Sequence, residues 1–347
     1  HSLGDALGVD LATAAGDPDP LVEVEHGLSA LQLSAAHSVR RSWRSVQDYL
    51  LTVLNALGVD PVVADELTEL PGADEIVALL ELRAQVESGP WDLVVVDCAP
   101  TAETLRLLAL PEALTWHLER LIPAQRGLLR TLRPAAEAAA GLPLPGVEVL
   151  ETLRRWHESL RDIQSVLHAE TTSVRLVLTP ERVVIAESRR TLTSLGLYGL
   201  AVDQVVVNRV FPEANQEPAH TAWLAGWNEA QQRGLAEVRH SFEPVPIVIT
   251  PYLSHEPVGA DALAALAEAR TGDIRDVLMT SRAPCMTVRP EDGGYLLTLP
   301  LPLVTAVEVD LKRRHDELLV AVGDQRRVLS LPSVLRRCVV TGATVRN

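Results

Sequence analysis

Apolar residues recur along this chain with two different periods. Over 36–57, Trp43, Val46, Leu50, Val53, Leu54 and Leu57 fall at three- and four-residue steps, one helical stripe that Gly58 closes. Leu114, Leu118, Leu121, Ile122, Leu128, Leu129 and Leu132 mark a second stripe over 112–140. Leu150, Leu153, Trp156, Leu160, Ile163 and Leu167 mark a third over 147–169. A further helix leads from the Pro71-Gly72-Ala73-Asp74-Glu75 turn through Val86. Between these stripes lie short apolar runs. Leu93–Val96 is rich in β-branched residues and does not alternate, as expected of a central parallel strand covered on both faces. Val174–Leu178, Val202–Val207 and Val245–Ile249 also read as strands, and the alternate leucines Leu31 and Leu33 predict one over 27–34.

Helices follow the strands. Pro100 stops the run that ends in Asp97, Thr101 is placed to cap the next helix, and Pro111 ends it. Thr179-Pro180-Glu181 combines an N-cap, a first-turn proline and a charge that suits the helix dipole, and predicts a helix to Leu195 stopped by Gly196. Helices are also expected over 219–240 and 261–270. Strands alternating with helices define an α/β fold with a mainly parallel sheet. From Met286 the period drops to two. Stretches 295–299, 307–311, 328–331 and 339–345 predict an all-β tail of about five strands, with turns at His315-Asp316-Glu317 and Gly323-Asp324-Gln325. The expected organisation is an α/β domain over 1–270 with a helical subdomain at about 36–86 and 112–169, a linker over 271–285, and a β-sandwich over 286–347.

Two polar side chains stand at predicted strand ends. Ligands of open α/β sheets bind at the carboxyl edge. Asp97 is placed there to hold magnesium through a bound water, or simply to cap the next turn. Asn208 closes the Val202–Val207 run, where an amide offers donor and acceptor to a purine edge or caps the turn before Pro212.

Composition narrows the field. The formal charge of −15 disfavours nucleic acid and anionic membrane as partners. Cys98, Cys285 and Cys338 are far apart and no C-x-x-C occurs, so neither a disulfide framework nor a zinc clip is indicated. A reducing, cytoplasmic setting fits that usage. No apolar run reaches the roughly 20 residues that a membrane helix needs. Lys312 is the only lysine, and no G-x-x-x-x-G-K-[ST] or G-x-G-x-x-G occurs.

The string Asp97-Cys98-Ala99-Pro100-Thr101-Ala102-Glu103-Thr104-Leu105-Arg106 resembles the switch II motif D-T-A-P-T-G-H-T-L-R of the arsenical pump-driving and tail-anchored-protein targeting ATPases. Seven positions match; Cys98, Ala102 and Glu103 depart. His1-Ser2 followed by Leu3-Gly4-Asp5-Ala6-Leu7 is similar to the end of that family's switch I. The P-G-x-D-E segment at 71–75, the P-E-x-x-x-x-x-E-x-x-R string from Pro180 and the V-V-V-N strand end at Asn208 are further matches in order, and Pro251, Glu256 and Gly259 fit loosely a segment that lines the family's adenine pocket. The tail resembles the small-heat-shock-like β-sandwich of bacterial members.

The resemblance implies a phosphate-loop ATPase that works as a homodimer, using ATP and Mg2+ and coupling nucleotide state to a protein client or membrane partner. It implies that Asp97 acts through magnesium, that the Thr101 turn reports the γ-phosphate, and that Asn208 and Pro251 hold adenine. It further implies that His1 and Ser2 are a remnant of switch I, with the phosphate loop upstream, so that the chain as written is expected to be inactive. The rival reading is a nucleotide-independent holdase or adaptor, using the helical stripes as a groove for a partner's apolar helix and the exposed edges of the β tail. With two methionines in the chain and no cysteine cluster, neither a Met-rich client groove nor an arsenite-binding thiol site is indicated.

Overall fold

The computed structural model describes residues 2–11, 21–32, 73–98, 147–212, 221–272, 286–291 and 293–345. The chain divides into two units, residues 1–167 and 168–347.

In the first unit, helix α1 (Ser2–Leu7) precedes an antiparallel hairpin of β1 (Val22–Glu25) and β2 (Leu28–Ala30), which turns at Gly27 with φ of 83°. The strand expected over 27–34 is therefore shorter: Leu31 and Gln32 lie beyond it. Helices α2 (Ala73–Ser88) and α3 (Val147–Leu167) pack together. Leu79 of α2 and Leu160, Ile163 and Leu167 of α3 are buried, so the carboxyl half of the third stripe is a packing face. Arg83 of α2 reaches Asp162 of α3 at 3.0 Å and Glu87 at 2.8 Å. Only the first pair crosses between the helices; both are partly exposed, and each adds at most about 1 kcal/mol. The helices expected over 36–57 and 112–140 lie outside the described residues.

One expectation fails in this unit. Trp91–Cys98 is neither helix nor strand, and Leu93, Val94, Val95 and Val96 are 37% to 81% exposed. A β-branched run becomes a buried strand only where neighbouring strands take up its backbone N–H and C=O groups. Among the described residues no strand pairs with it.

The second unit is built on a sheet in the order β3 (Val174–Leu178), β4 (Val202–Val210), β5 (Ile247–Pro251), β6 (Thr271–Gly272). The first three strands are parallel, and β6 pairs antiparallel with β5 where a linker was expected. β4 is central, so Val205 and Val207 are fully buried. Helices α4 (Arg182–Tyr198), α5 (Thr221–Phe242) and α6 (Ala260–Glu268) supply the cover, with Ile185, Leu195, Val238 and Phe242 at 1% exposure or less.

The ends of α4 differ from expectation. Thr179 does not cap it; its hydroxyl bonds the Glu181 carboxylate, and Glu181 stands in the extended N-cap position. Gly196 does not end the helix either. The helix continues to Tyr198 and is closed by Gly199, whose φ of 75° suits glycine and whose N–H bonds Gly196 O at 3.0 Å.

The tail is antiparallel. β7 (Thr287–Glu291) and β8 (Gly294–Thr298) form a hairpin, and β10 (Glu317–Val322) lies between β9 (Val309–Arg314) and β11 (Gln325–Ser330). The strand expected over 339–345 is absent. Helix α7 (Ser333–Arg336) precedes that stretch, and Val339 and Val340 are exposed. The Arg313 guanidinium donates to the carbonyls of Leu335, Arg336 and Cys338 and so ties the end of α7 to β9 just before that stretch.

The tail docks on the end of α4. Leu197 is fully buried in one cluster with Val320 and Leu329. Arg327 donates to Leu197 O at 2.6 Å, and Thr193 donates to Pro302 O at 2.9 Å. Gly196 is used for this approach: a Cβ there would lie 2.5 Å from Pro302 Cδ. Gly196→Ala sets a gain of about 1 kcal/mol in helix propensity against an overpacking cost of about 1–3 kcal/mol. Since the proline ring cannot rotate away, net destabilisation is expected, read as a lower urea midpoint and faster proteolysis after residue 270 than in the parent.

Candidate functional site

Parallel strands must all deliver their carboxyl ends to one edge, and β3, β4 and β5 do so here. β3 runs into Thr179-Pro180-Glu181, β4 into Phe211, and β5 into Tyr252. β4 and β5 are in register at Val207 with Ile249 and again at Val210 with Pro251. Asn208 and Arg209 therefore face the single residue Thr250, which makes a bulge in β4. Arg209 has φ of 57°, uncommon for a residue with a side chain. Tyr252 N–H closes the pair by donating to Val210 O at 2.7 Å.

This geometry brings two of the expected site residues to neighbouring strand ends. Asn208 lies in the bulge, half-buried, and its Oδ1 accepts the Arg209 N–H at 2.9 Å. Pro251 is the last residue of β5, half-buried. Beyond it Gly259, with φ of 87°, opens α6, and Glu256 is exposed. Asp97 lies in the other unit, exposed near the end of the Trp91–Cys98 stretch, which pairs with no strand among the described residues. Ser2 begins α1. Thr101 and His1 lie outside the described residues.

A cavity of about 720 Å³ opens at the same edge of the sheet. Its floor is the Thr179–Arg182 turn, and its walls carry Arg209, Phe211 and Tyr252 from the strand ends and Trp223, Trp227 and Gln231 from α5. Phe211 and Tyr252 tilt against each other with ring centroids 5.5 Å apart. Trp223 and Trp227 meet edge to face at 6.1 Å. Four aromatic rings suit a planar ligand, and the charged groups on the wall are of both signs, Arg182, Arg209 and Arg233 with Glu181 and Glu237; Asn208 and Pro251 lie at the same sheet edge but do not line the cavity.

Sequence reasoning found the strand ends and missed this wall. The usable signal is the spacing of Trp223, Trp227 and Gln231, each four residues from the next, which places them on one helical face. Helix α5 comes this close because residue 234 is glycine: a Cβ there would lie 2.1 Å from Pro180 O. Among the described residues no group of three or more His, Cys, Asp or Glu side chains is arranged to hold a metal, and no helix is long and apolar enough to cross a membrane.

The described residues give a mainly parallel sheet flanked by helices, with a cleft at its carboxyl edge and an antiparallel β tail, and the family models it matches put this chain in the phosphate-loop NTPase class of folds. Residues 1–271 match the model of the anion-transporting ATPase family, and residues 292–347 match that of an HSP20-like domain found in ArsA. The chain belongs to the anion-transporting ATPase family. It is 39% identical over 343 residues to an uncharacterized protein of Streptomyces coelicolor, covering 99% of this chain and 85% of that one. It is 33% identical over 337 residues to a putative arsenical pump-driving ATPase of Chlorobaculum tepidum, covering 96% and 80%. Over 274 residues it is 26% identical to the ATPase get3 of Aspergillus niger, covering 77% and 78%. ATPase activity is thus the function of this family.

The close approach at Gly234 yields a direct expectation. Gly234→Ala drives a methyl group into a backbone carbonyl, which no rotamer change relieves. The helix-propensity gain of about 1 kcal/mol is outweighed, and α5 must shift away from the Thr179–Pro180 turn. The expected result is a lower urea midpoint together with an altered tryptophan emission maximum, since Trp223 and Trp227 ride on the same helix.

Proposed function

We propose that this protein binds and hydrolyses ATP as a dimeric switch, coupling nucleotide state to a protein client or membrane partner. The observation that carries this reading is the placement of Asn208 and Pro251 on adjacent strand ends at the carboxyl edge of a parallel sheet. Membership of an ATPase family supports it. Asn208 offers its amide to the adenine edge, and Pro251 offers an apolar surface to the ring. With Asn208 Oδ1 taken by the Arg209 N–H, the amide NH2 is the group left to donate to a purine nitrogen.

Asp97 is the proposed partner of magnesium through a bound water. The residue suits that role, because magnesium keeps several waters and needs only one or two carboxylates beside the phosphates, and the Asp97 side chain is exposed. Magnesium would supply neutralisation of charge on the β- and γ-phosphate oxygens. Thr101, four residues on, is the proposed γ-phosphate sensor, and His1 and Ser2 are assigned to the first switch. Dimer formation and client coupling rest on family membership and on the names of the pump-driving and get3 relatives. The β tail packs on α4 through Leu197 and Arg327, the helix whose first residue, Arg182, lines the cavity. The proposed domain limits are 1–270 for the ATPase part, 271–285 for the linker and 286–347 for the tail.

Titration of Mg–ATP into the complete gene product, by calorimetry, tests this reading. Binding is expected, with turnover to ADP and phosphate. Asp97→Asn should lower kcat by about 100-fold or more, the scale of losing one electrostatic stabiliser of a charged transition state, while ATP without magnesium binds as before. A complete protein that binds no ATP sinks the ATPase reading. Unchanged turnover in Asp97→Asn removes Asp97 from it.

A further inference from the structure

We infer that Gln231 is a positioning residue for base recognition: it locks the strained bulge of β4 and thereby aims the Asn208 amide. This inference rests on the proposed reading of Asn208 as the residue that meets adenine.

The bulge needs support from outside the strand. Arg209 sits in the left-handed region at φ of 57°. A residue with a side chain holds such a conformation only when its surroundings over-determine it. Asn208 and Arg209 also face one residue of β5, so the ladder is interrupted where the site lies. Backbone groups left unpaired at such a position need other partners.

Gln231 of α5 supplies them. Its Nε2 donates to Arg209 O at 3.1 Å, and its Oε1 accepts the Phe211 N–H at 2.9 Å. One side-chain amide thus takes the place of a strand neighbour, bonding the C=O of residue 209 and the N–H of residue 211. Both ends of the amide are committed, so its orientation follows from the network: the reverse placement would set donor against donor. Gln231 is 8% exposed, with little freedom to leave.

The consequence reaches Asn208 through the backbone of Arg209, whose N–H and C=O belong to consecutive peptide planes hinged at its strained φ. Asn208 Oδ1 accepts the Arg209 N–H at 2.9 Å, so the direction of that N–H fixes the plane of the Asn208 amide. Gln231 holds the carbonyl of the same residue. Freed from Gln231, Arg209 can relax toward negative φ. Its N–H then swings, and the Asn208 NH2 leaves the direction set for the base. Gln231 touches no nucleotide in this scheme; it acts through Asn208.

A double-mutant cycle on the complete gene product separates the possibilities, with affinities for Mg–ATP and for magnesium tripolyphosphate, which lacks a base, measured by calorimetry. Asn208→Ala is expected to weaken ATP about tenfold, the loss of one hydrogen bond, and to leave tripolyphosphate unchanged. Gln231→Leu, which removes both amide contacts, should do the same. The double variant should bind ATP no worse than Asn208→Ala alone, because the second residue works through the first. Unchanged ATP affinity in Asn208→Ala overturns the reading of the site. A weakened Asn208→Ala beside an unaffected Gln231→Leu, losses that add, or an equal loss of tripolyphosphate overturns the role of Gln231 alone. If Gln231→Leu does not fold, Gln231→Glu decides. Its carboxylate still accepts the Phe211 N–H but repels Arg209 O, so ATP should weaken with tripolyphosphate intact. Parental ATP affinity in that variant refutes the inference.

Discussion

The parallel pairing of β4 with strands on both sides is the interaction on which the second unit depends. A strand hydrogen-bonded along both edges can be buried without leaving backbone groups unsatisfied, and this is what allows Val205 and Val207 to lose all contact with solvent. Three parallel strands then require crossovers, which places α4 and α5 against the sheet and sends every strand end to the same side. The cleft is a product of that connectivity. Its individual residues follow from small departures: the extra residue in β4, the left-handed Arg209, and the glycine that lets α5 approach Pro180.

The contrast between two β-branched runs shows what such pairing means. Leu93–Val96 and Val205–Val207 look alike as strings, and Asp97 and Asn208 end them in like fashion. In the structure the second is the core of a sheet and the first is neither helix nor strand and is exposed. Hydrophobic content is alike in the two; among the described residues only the second has strands paired along its edges. The proposed roles of Asp97 and Asn208 therefore stand on different ground. One rests on a motif and an exposed carboxylate, the other on a motif and a built environment.

Glycines 196 and 199 make a similar point about the tail. The sequence points to Gly196 as the helix stop. Only Gly199 takes the left-handed conformation that ends a helix, while Gly196 stays helical and serves as the flat spot against which Pro302 rests. The extra turn carries Leu197 into the cluster with Val320 and Leu329, so the end of one helix is also the foundation of the β tail. An Arg327 bond to the Leu197 carbonyl uses one of the acceptors that a helix end leaves open. The tail is thereby joined mechanically to the same helix that begins beside the cavity.

Local periodicity was enough to locate β3, β4, α2, α3, α4, α5 and the β tail within a few residues, because helix and strand patterns are written in nearest neighbours. Motif order was enough to identify the family; the strand-end rule pointed to Asn208, while Pro251 came only from the resemblance. Other features depended on partners distant in sequence. The exposure of Leu93–Val96, the missing strand over 339–345, the role of Gly196 and the service of Gln231 to a bulge some twenty residues away all turn on which backbone groups meet which neighbours. That is a property of the assembled chain. Pattern along the sequence sets what each segment prefers to be; satisfaction of its edges in three dimensions sets whether it is buried, and what it can then do.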